Sequence, residues 1–136
     1  MKLPLLFILL ANFFMAECVS AKSPAPEQVN GAVTVSTKYA KKLLNQGVTF
    51  IDVRRATDYQ ASHIQGAHHL DLKLDLTEGS LLAVIKKNRP VVFYCNGDMC
   101  QRSALASEKA VAWGWANVFY YRGGFPDWKK AGLPLK

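Results

Sequence analysis

Short apolar runs separated by polar, charge-bearing stretches set the rhythm of the chain. Val33-Thr34-Val35 reads as a short first strand. Ser36 then caps a helix in which Ala40, Leu43 and Leu44 share one face, with Lys38, Lys41 and Lys42 turned outward and Gly47 as its stop. Val48 to Val53 is a second, buried strand running into Asp52-Val53-Arg54. Thr57 to Ala61 forms a short helix, Ser62 to Ala67 a turn, and Ala67 to Leu70 a third strand. From Leu70 to Leu76 leucines alternate with Asp71, Lys73 and Asp75, a strand-like period that runs into a helical stretch where Leu81, Leu82 and Ile85 share a face, so the middle of this segment reads as loop.

Pro90 resets the chain before the apolar run Val91 to Cys95, a buried parallel strand ending at a cysteine. A short polar loop follows, and then a helix whose Ser103, Ala106, Ser107 and Ala110 make a face of small residues that can lie close on a sheet, with Glu108 and Lys109 opposite. Gly114 ends it. Asn117 to Tyr121 is the last strand, Gly123-Gly124 a tight turn, and Asp127 to Ala131 a final short helix closed by Gly132 and Pro134. Strands alternating with helices predict an α/β fold, a parallel central sheet of about five strands with helices on both faces.

The N-terminus has a different character. Lys2 precedes a nearly continuous apolar run, Leu3 to Ala16, and Val19-Ser20-Ala21 offers the small residues a signal peptidase needs, so residues 1–21 are expected to be a signal peptide cleaved after Ala21. The apolar run is shorter than the ~20 residues a membrane span requires, and no span is expected after cleavage. Cys18 would leave with the leader. Residues 22–32, with Pro24 and Pro26, read as a flexible lead-in, and residues 33–136 as one small domain. Export, expected to be to the periplasm, places Cys95 and Cys100 where disulfides persist, so either they pair or one is a working thiol.

Charge narrows the classes of partner. The net charge of +7 is spread over the chain, and losing Lys2 and Glu17 with the leader leaves it unchanged. Without a basic run interleaved with aromatics, nucleic acid is excluded and small anions are favoured. No nucleotide loop, haem attachment pair or metal cluster occurs, so no cofactor is implied. His68 and His69, adjacent on a strand, would face opposite ways, and two cysteines are too few for structural zinc. Trp113, Trp115, Trp128 and Phe119-Tyr120-Tyr121 read as packing residues.

The chemistry concentrates at the end of the Cys95 strand. There a loop entering a helix N-terminus aims amide N–H groups and a positive partial charge at its contents, and a thiol should ionise more easily. Asp52 and Arg54, at the end of another apolar strand, would be costly to bury unpaired and should be hydrogen-bonded to the loops over the sheet edge.

Taken together, Asp52-Val53-Arg54 with Asp58-Tyr59, Ser62-His63-Ile64-Gln65-Gly66-Ala67, Val91 to Cys95 with Arg102-Ser103, and Gly123-Gly124-Phe125-Pro126-Asp127-Trp128 resemble the rhodanese-like domain family, in order and spacing from about Val33 to Pro134. The resemblance implies a sulfurtransferase in which a cysteine takes the outer sulfur of a donor such as thiosulfate, becomes a persulfide, and passes that sulfur to an acceptor. The partners it implies are a small sulfur-containing anion and a thiol acceptor, which a protein could supply.

Cys95 matches the family's nucleophile. Arg102 resembles the basic residue that closes the family's loop and would hold a donor oxyanion, with an ion pair to Asp52 or Asp58 as its alternative. Asn96, Gly97, Asp98, Met99, Gln101 and Ser103 would line the pocket, largely through their backbone, Gly97 supplying a positive φ. Asp52, Arg54 and His63 would support it, His63 by pinning its turn. Six residues separate Cys95 from Arg102, against the family's usual four, and a cysteine stands at position 100 where the arginine would fall. The pocket should therefore be enlarged or differently folded, and Asp98 weighs against a phosphate or arsenate substrate. Cys100 is either a resolving thiol that leaves a Cys95–Cys100 disulfide, a plain neighbour, or half of a structural bridge. A thiol–disulfide redox module and a non-catalytic binding module are the alternative functions.

Overall fold

The computed structural model describes residues 23–136. The expected signal peptide, its cleavage point and Cys18 lie outside the described residues.

Five parallel strands form one sheet: β1 (Ala32–Thr34), β2 (Thr49–Asp52), β3 (His68–His69), β4 (Val91–Tyr94) and β5 (Val118–Tyr121), in the order β1-β5-β4-β2-β3. The helices α1 (Thr37–Asn45), α2 (Ala56–Ala61), α3 (Glu78–Val84), α4 (Arg102–Ala112) and α5 (Gly124–Lys130) fall between and after them. The expected α/β architecture and strand number hold, with boundaries within a few residues. Ser36 caps α1 by accepting the Tyr39 N–H at 3.2 Å, and Gly47, at φ +80°, takes the chain out of the helix.

Because β2 and β4 are central, both faces of each are covered and their alternate side chains enter two separate cores. Ile51, Val53, Val91, Phe93 and Cys95 meet Ala106 and Ala110 of α4 and Leu81 of α3. Phe50, Val92 and Tyr94 meet Ala40 and Leu43 of α1 and Trp128 of α5. Trp128 is fully buried between Phe50 and Tyr121, and Trp115 is buried on the other face. At 25 cal/mol per Å2, burying side chains of this size contributes about 1.5–3 kcal/mol each.

The small-residue face of α4 behaves as its composition requires. Ser103, Ala106, Ser107 and Ala110 are all buried, and the helix lies against β4 and β5. In α3 the expected apolar face is only partly realised. Leu81 is buried and Ile85 packs against the core from the helix end, but Leu82 is 48% exposed. A capping box closes the start of this helix, with Thr77 and Ser80 exchanging side-chain to backbone hydrogen bonds. The final helix starts three residues earlier than its sequence suggests, because Gly124 at φ +59° turns directly into it.

Residues 23–31 differ most from expectation. In place of a flexible lead-in, they form a strap packed on the molecule, with Ala25 and Val29 buried. The strap is held by Arg122 donating to Ala25 O, Tyr120 OH to Pro26 O and Thr34 Oγ1 to Glu27 O. Proline-rich polar composition suggested mobility. Yet Val29, Ala32, Ala104 and Tyr120 make a small apolar cluster of their own, and the strap's carbonyls find donors in β1, in β5 and just past β5.

Candidate active site

The site lies at the carboxyl edge of the sheet, where β2 and β4 end and the loops 53–55 and 95–101 begin, the usual place for ligands in a parallel sheet. Beneath it is a buried polar clamp. Asp52 and Arg54 are 0% and 3% exposed and are paired with each other, as burial demands. Arg54 Nη2 lies 2.7 Å from Asp52 Oδ2, its Nε 3.1 Å from both carboxylate oxygens, and its backbone N–H donates to Oδ1 at 2.9 Å. Tyr94 OH donates to Asp52 Oδ2 at 2.7 Å and accepts the Ile64 N–H at 3.1 Å. Burial first, and then the carboxylate, push the Tyr94 phenol up. Arg54 continues outward to Ser62 O at 2.7 Å and to Asn96 Oδ1 at 3.3 Å, with its guanidinium 4.2 Å from the centre of the Phe125 ring. The clamp thus ties the end of β2 to the first residue of the cysteine loop.

Cys95 immediately follows β4, is wholly buried, and points toward α4. The Ser103 N–H donates to its sulfur at 3.3 Å, Ser103 Oγ is 3.1 Å away and Cys100 O 3.3 Å. Gly124 approaches so closely from α5 that a Cβ there would collide with Cys95 O, and Phe125 N–H donates to that carbonyl at 2.9 Å.

The expected ring of amides is divided between two sulfurs, with the Ser103 N–H on Cys95. The backbone N–H groups of Asn96 and Arg102 lie beside the Cys100 sulfur, which also feels the neighbouring Cys95 thiol and the field of the Arg102 charge, while the Cys95 S–H itself meets Cys100 O and Ser103 Oγ. The neighbouring Cys95 thiol first, and then the two amides and Arg102, lower the Cys100 thiol below the ordinary range against the desolvation that opposes this. The Cys95 thiol goes the other way, raised by the neighbouring Cys100 thiol and then by burial. A readily ionised Cys95 is therefore corrected to a thiol pair that titrates together, with its first charge on Cys100. A helix N-terminus and a loop of amides were legible in the sequence. Which of two sulfurs they enclose depends on how the six-residue loop folds.

Gly97 carries its expected positive φ, +103°. Asn96 bridges Arg54 and Asp58, its Nδ2 donating to Asp58 Oδ2 at 3.2 Å. The Asp98 carbonyl accepts from the Ala25 N–H, and Gln101 Nε2 donates to Ser23 O at 3.1 Å and Pro24 O at 3.0 Å, so both residues hold the strap. Met99 is half exposed at the rim.

Arg102 pairs with neither Asp52 nor Asp58. Its Nη1 donates to Asp71 Oδ1 at 3.0 Å and to Val53 O at 3.1 Å. Against the desolvation of its burial, Asp71 is held below the usual carboxylate range by the Lys73 N–H and Arg102. Asp71 was not singled out as a site residue. Its signal is an acidic side chain followed two residues on by an N–H it accepts, just past β3 on the same sheet edge. His63 Nδ1 lies 2.9 Å from Tyr59 O, its ring stacks on Tyr59, and its backbone exchanges hydrogen bonds with Lys136. It sits behind the clamp, away from the sulfurs.

An open cavity of about 510 Å3 lies over the loop, lined by Arg55, Asn96, Met99, Cys100 and Arg102, with Ser23 of the strap on its outer side. Arg55, Lys73 and Arg102 continue into an adjoining hollow. Cys95 does not line the cavity. No group of three or more metal-ligating side chains gathers among the described residues.

A parallel α/β domain with a thiol pair in the loop between a central strand and its helix defines a cysteine-centred class of proteins. Residues 36–131 match the model of the rhodanese-like domain, and the chain belongs to that family. It is 30% identical over 92 residues to the thiosulfate sulfurtransferase GlpE of Actinobacillus pleuropneumoniae, covering 68% of this chain and 81% of that one. It is 28% identical over 95 residues to GlpE of Pseudomonas fluorescens, covering 70% and 83%. Among solved structures it is similar to the polysulfide-sulfur transferase homodimer of Wolinella succinogenes, at 28% identity and a TM-score of 0.61 over 78% of this chain and 79% of that one. The human single-domain sulfurtransferase TSTD1, at 21% identity and a TM-score of 0.60 over 74% and 93%, shares the fold.

Proposed function

We propose that the protein is an exported sulfurtransferase that carries sulfane sulfur as a persulfide on Cys95 and works in the periplasm. The observation that carries this reading is the thiol pair at the carboxyl edge of the sheet, with Cys95 braced by Ser103 and Cys100 facing a cavity bordered by Arg55 and Arg102. The GlpE relatives are named for thiosulfate, and the +7 charge suits an anionic donor. A cysteine thiolate of the loop bonds to the sulfane sulfur of thiosulfate, the bond to the sulfonate sulfur breaks, and sulfite leaves with the electron pair. The persulfide sulfur then passes to an acceptor thiolate, restoring the thiol.

The same pair supports a second course. A neighbouring thiolate can attack the inner sulfur of the persulfide, expel hydrosulfide and close a Cys95–Cys100 disulfide, which an external dithiol reduces. A redox module without sulfane transfer is the competing function, and two free cysteines in one loop, the sulfur of Cys95 3.3 Å from Cys100 O, are what favour it. A reduction potential below roughly −300 mV, that of a structural bridge, would count against cycling.

Intact-mass spectrometry tests the main reading. The reduced protein should gain one sulfur from thiosulfate and release one sulfite, and the double Cys95→Ser, Cys100→Ser variant should do neither. If the reduced wild type gains no sulfur from thiosulfate or polysulfide, the reading fails. Export is tested by sequencing the N-terminus of protein recovered from the periplasm of a bacterial host, where Lys22 is expected.

A further inference from the structure

Resting on the sulfurtransferase reading, we propose that Cys100 is the thiol the donor meets first, and that the sulfur then moves inward to Cys95.

Attack on a sulfane sulfur requires the nucleophile to come within bonding reach, and an S–S bond is only about 2.05 Å long. Cys95 has no exposed surface, and its sulfur is surrounded by Ser103 N–H, Ser103 Oγ and the Cys100 carbonyl. Cys100 is partly exposed and lines the 510 Å3 cavity beside Arg55 and Arg102. Its sulfur receives the Asn96 and Arg102 amides, the donors that would hold an anionic sulfur. The Cys95 S–H lies against Cys100 O and Ser103 Oγ, so the buried thiol has acceptors for its proton while the Cys100 sulfur faces the cavity.

In the first step the Cys100 thiolate bonds to the sulfane sulfur of thiosulfate, the S–S bond of the donor breaks, and sulfite departs with its electron pair. Cys100 then carries a persulfide anion. The Cys95 proton passes to the outer, anionic sulfur of that persulfide. The Cys95 thiolate so formed bonds to the outer sulfur, and the bond to Cys100 breaks with its pair returning to Cys100. The products are a Cys95 persulfide bearing the proton and a Cys100 thiolate, with no net oxidation and charge unchanged. The emptied Cys100 thiolate is ready to face the cavity again, which gives a physical use for the cysteine standing where the family's arginine would be.

Two measurements separate this relay from the reading beneath it. Iodoacetamide at pH 7, with no sulfur donor present, should label Cys100 at least about tenfold faster than Cys95, since the labelled species is the accessible thiolate. With thiosulfate, Cys95→Ser should gain one sulfur located on Cys100 and release one sulfite. Cys100→Ser and Cys100→Ala should load Cys95 at least about tenfold more slowly than wild type. Equal loading in both Cys100 variants, or a Cys95→Ser protein that gains nothing while wild type loads, overturns the relay and leaves the sulfurtransferase intact. Faster labelling of Cys95 than of Cys100 also overturns it. A wild type that takes no sulfur from any sulfane donor removes both.

Discussion

Replacing Arg54 by Met tests the clamp beneath the site. Methionine keeps an apolar stem against Phe125 but removes the guanidinium, leaving Asp52 buried with Tyr94 OH and the residue 54 N–H as its remaining donors. Breaking a buried pair by deleting one partner costs about 3–5 kcal/mol, because a desolvated charge is left uncompensated. That is a large share of the roughly 5–15 kcal/mol that holds a domain of this size together. It corresponds to a fall of roughly 10–20 °C in Tm. The double variant Asp52→Asn, Arg54→Met removes the orphaned charge while retaining an acceptor for Tyr94, and should recover at least about 1 kcal/mol. Urea unfolding followed by tryptophan fluorescence measures all three proteins, Trp128 and Trp115 being buried on opposite faces of the sheet. A single variant within about 1 kcal/mol of wild type, or a double variant no more stable than the single, would refute the claim that the pair is held by mutual neutralisation.

Gly124→Ala puts a methyl group into Cys95 O at a left-handed backbone position, and should cost more than about 2 kcal/mol in urea; an unchanged midpoint would show that α5 yields. Sulfur loading should rise with pH to a plateau whose midpoint lies below about 8.5, the ordinary thiol value, because the neighbouring Cys95 thiol first, and then two amides and the Arg102 field, lower Cys100. Arg102→Gln should move that midpoint upward, and a wild-type midpoint at or above the ordinary value would contradict the assignment. Asp71 has its pKa depressed in the fold, so the unfolded chain takes the proton first. Its contribution is complete above the unfolded value of about 4 and is lost as pH falls through the folded value. Asp71→Asn should therefore flatten the acid limb of a stability–pH curve, and an unaltered limb would show that other carboxylates set it.

Local chemistry made much of the fold legible. Ser36 caps and Gly47 stops α1 because each acts on its own backbone, and the small-residue face of α4 is a periodic signal with one solution against a sheet. Pairings between distant charges were not legible. Asp71 and Arg102 meet across 31 positions, and nothing local distinguishes Asp71 from Asp52 or Asp58 as the partner. Leu82 shows the limit of periodicity, since a seven-residue helix at the edge of the core buries a narrower stripe than its sequence offers. At the site, the strand end, the loop and the residues in it could be read directly. The placement of Cys100 at the cavity with Cys95 buried behind it could not, because the conformation of the loop decides which sulfur is exposed.

The strap has a bearing on where this protein can be cut. The family match begins at Ser36, so a fragment trimmed to that boundary discards β1 together with residues 23–31. It would keep both thiols and the clamp. It would also uncover the apolar seat of Val29 on Ala104 and Tyr120, and strip the Asp98 carbonyl and the Gln101 amide of the chain they grip. The outer edge of the reactive loop is thus built from sequence upstream of the shared domain, and recombinant versions should begin no later than Ser23.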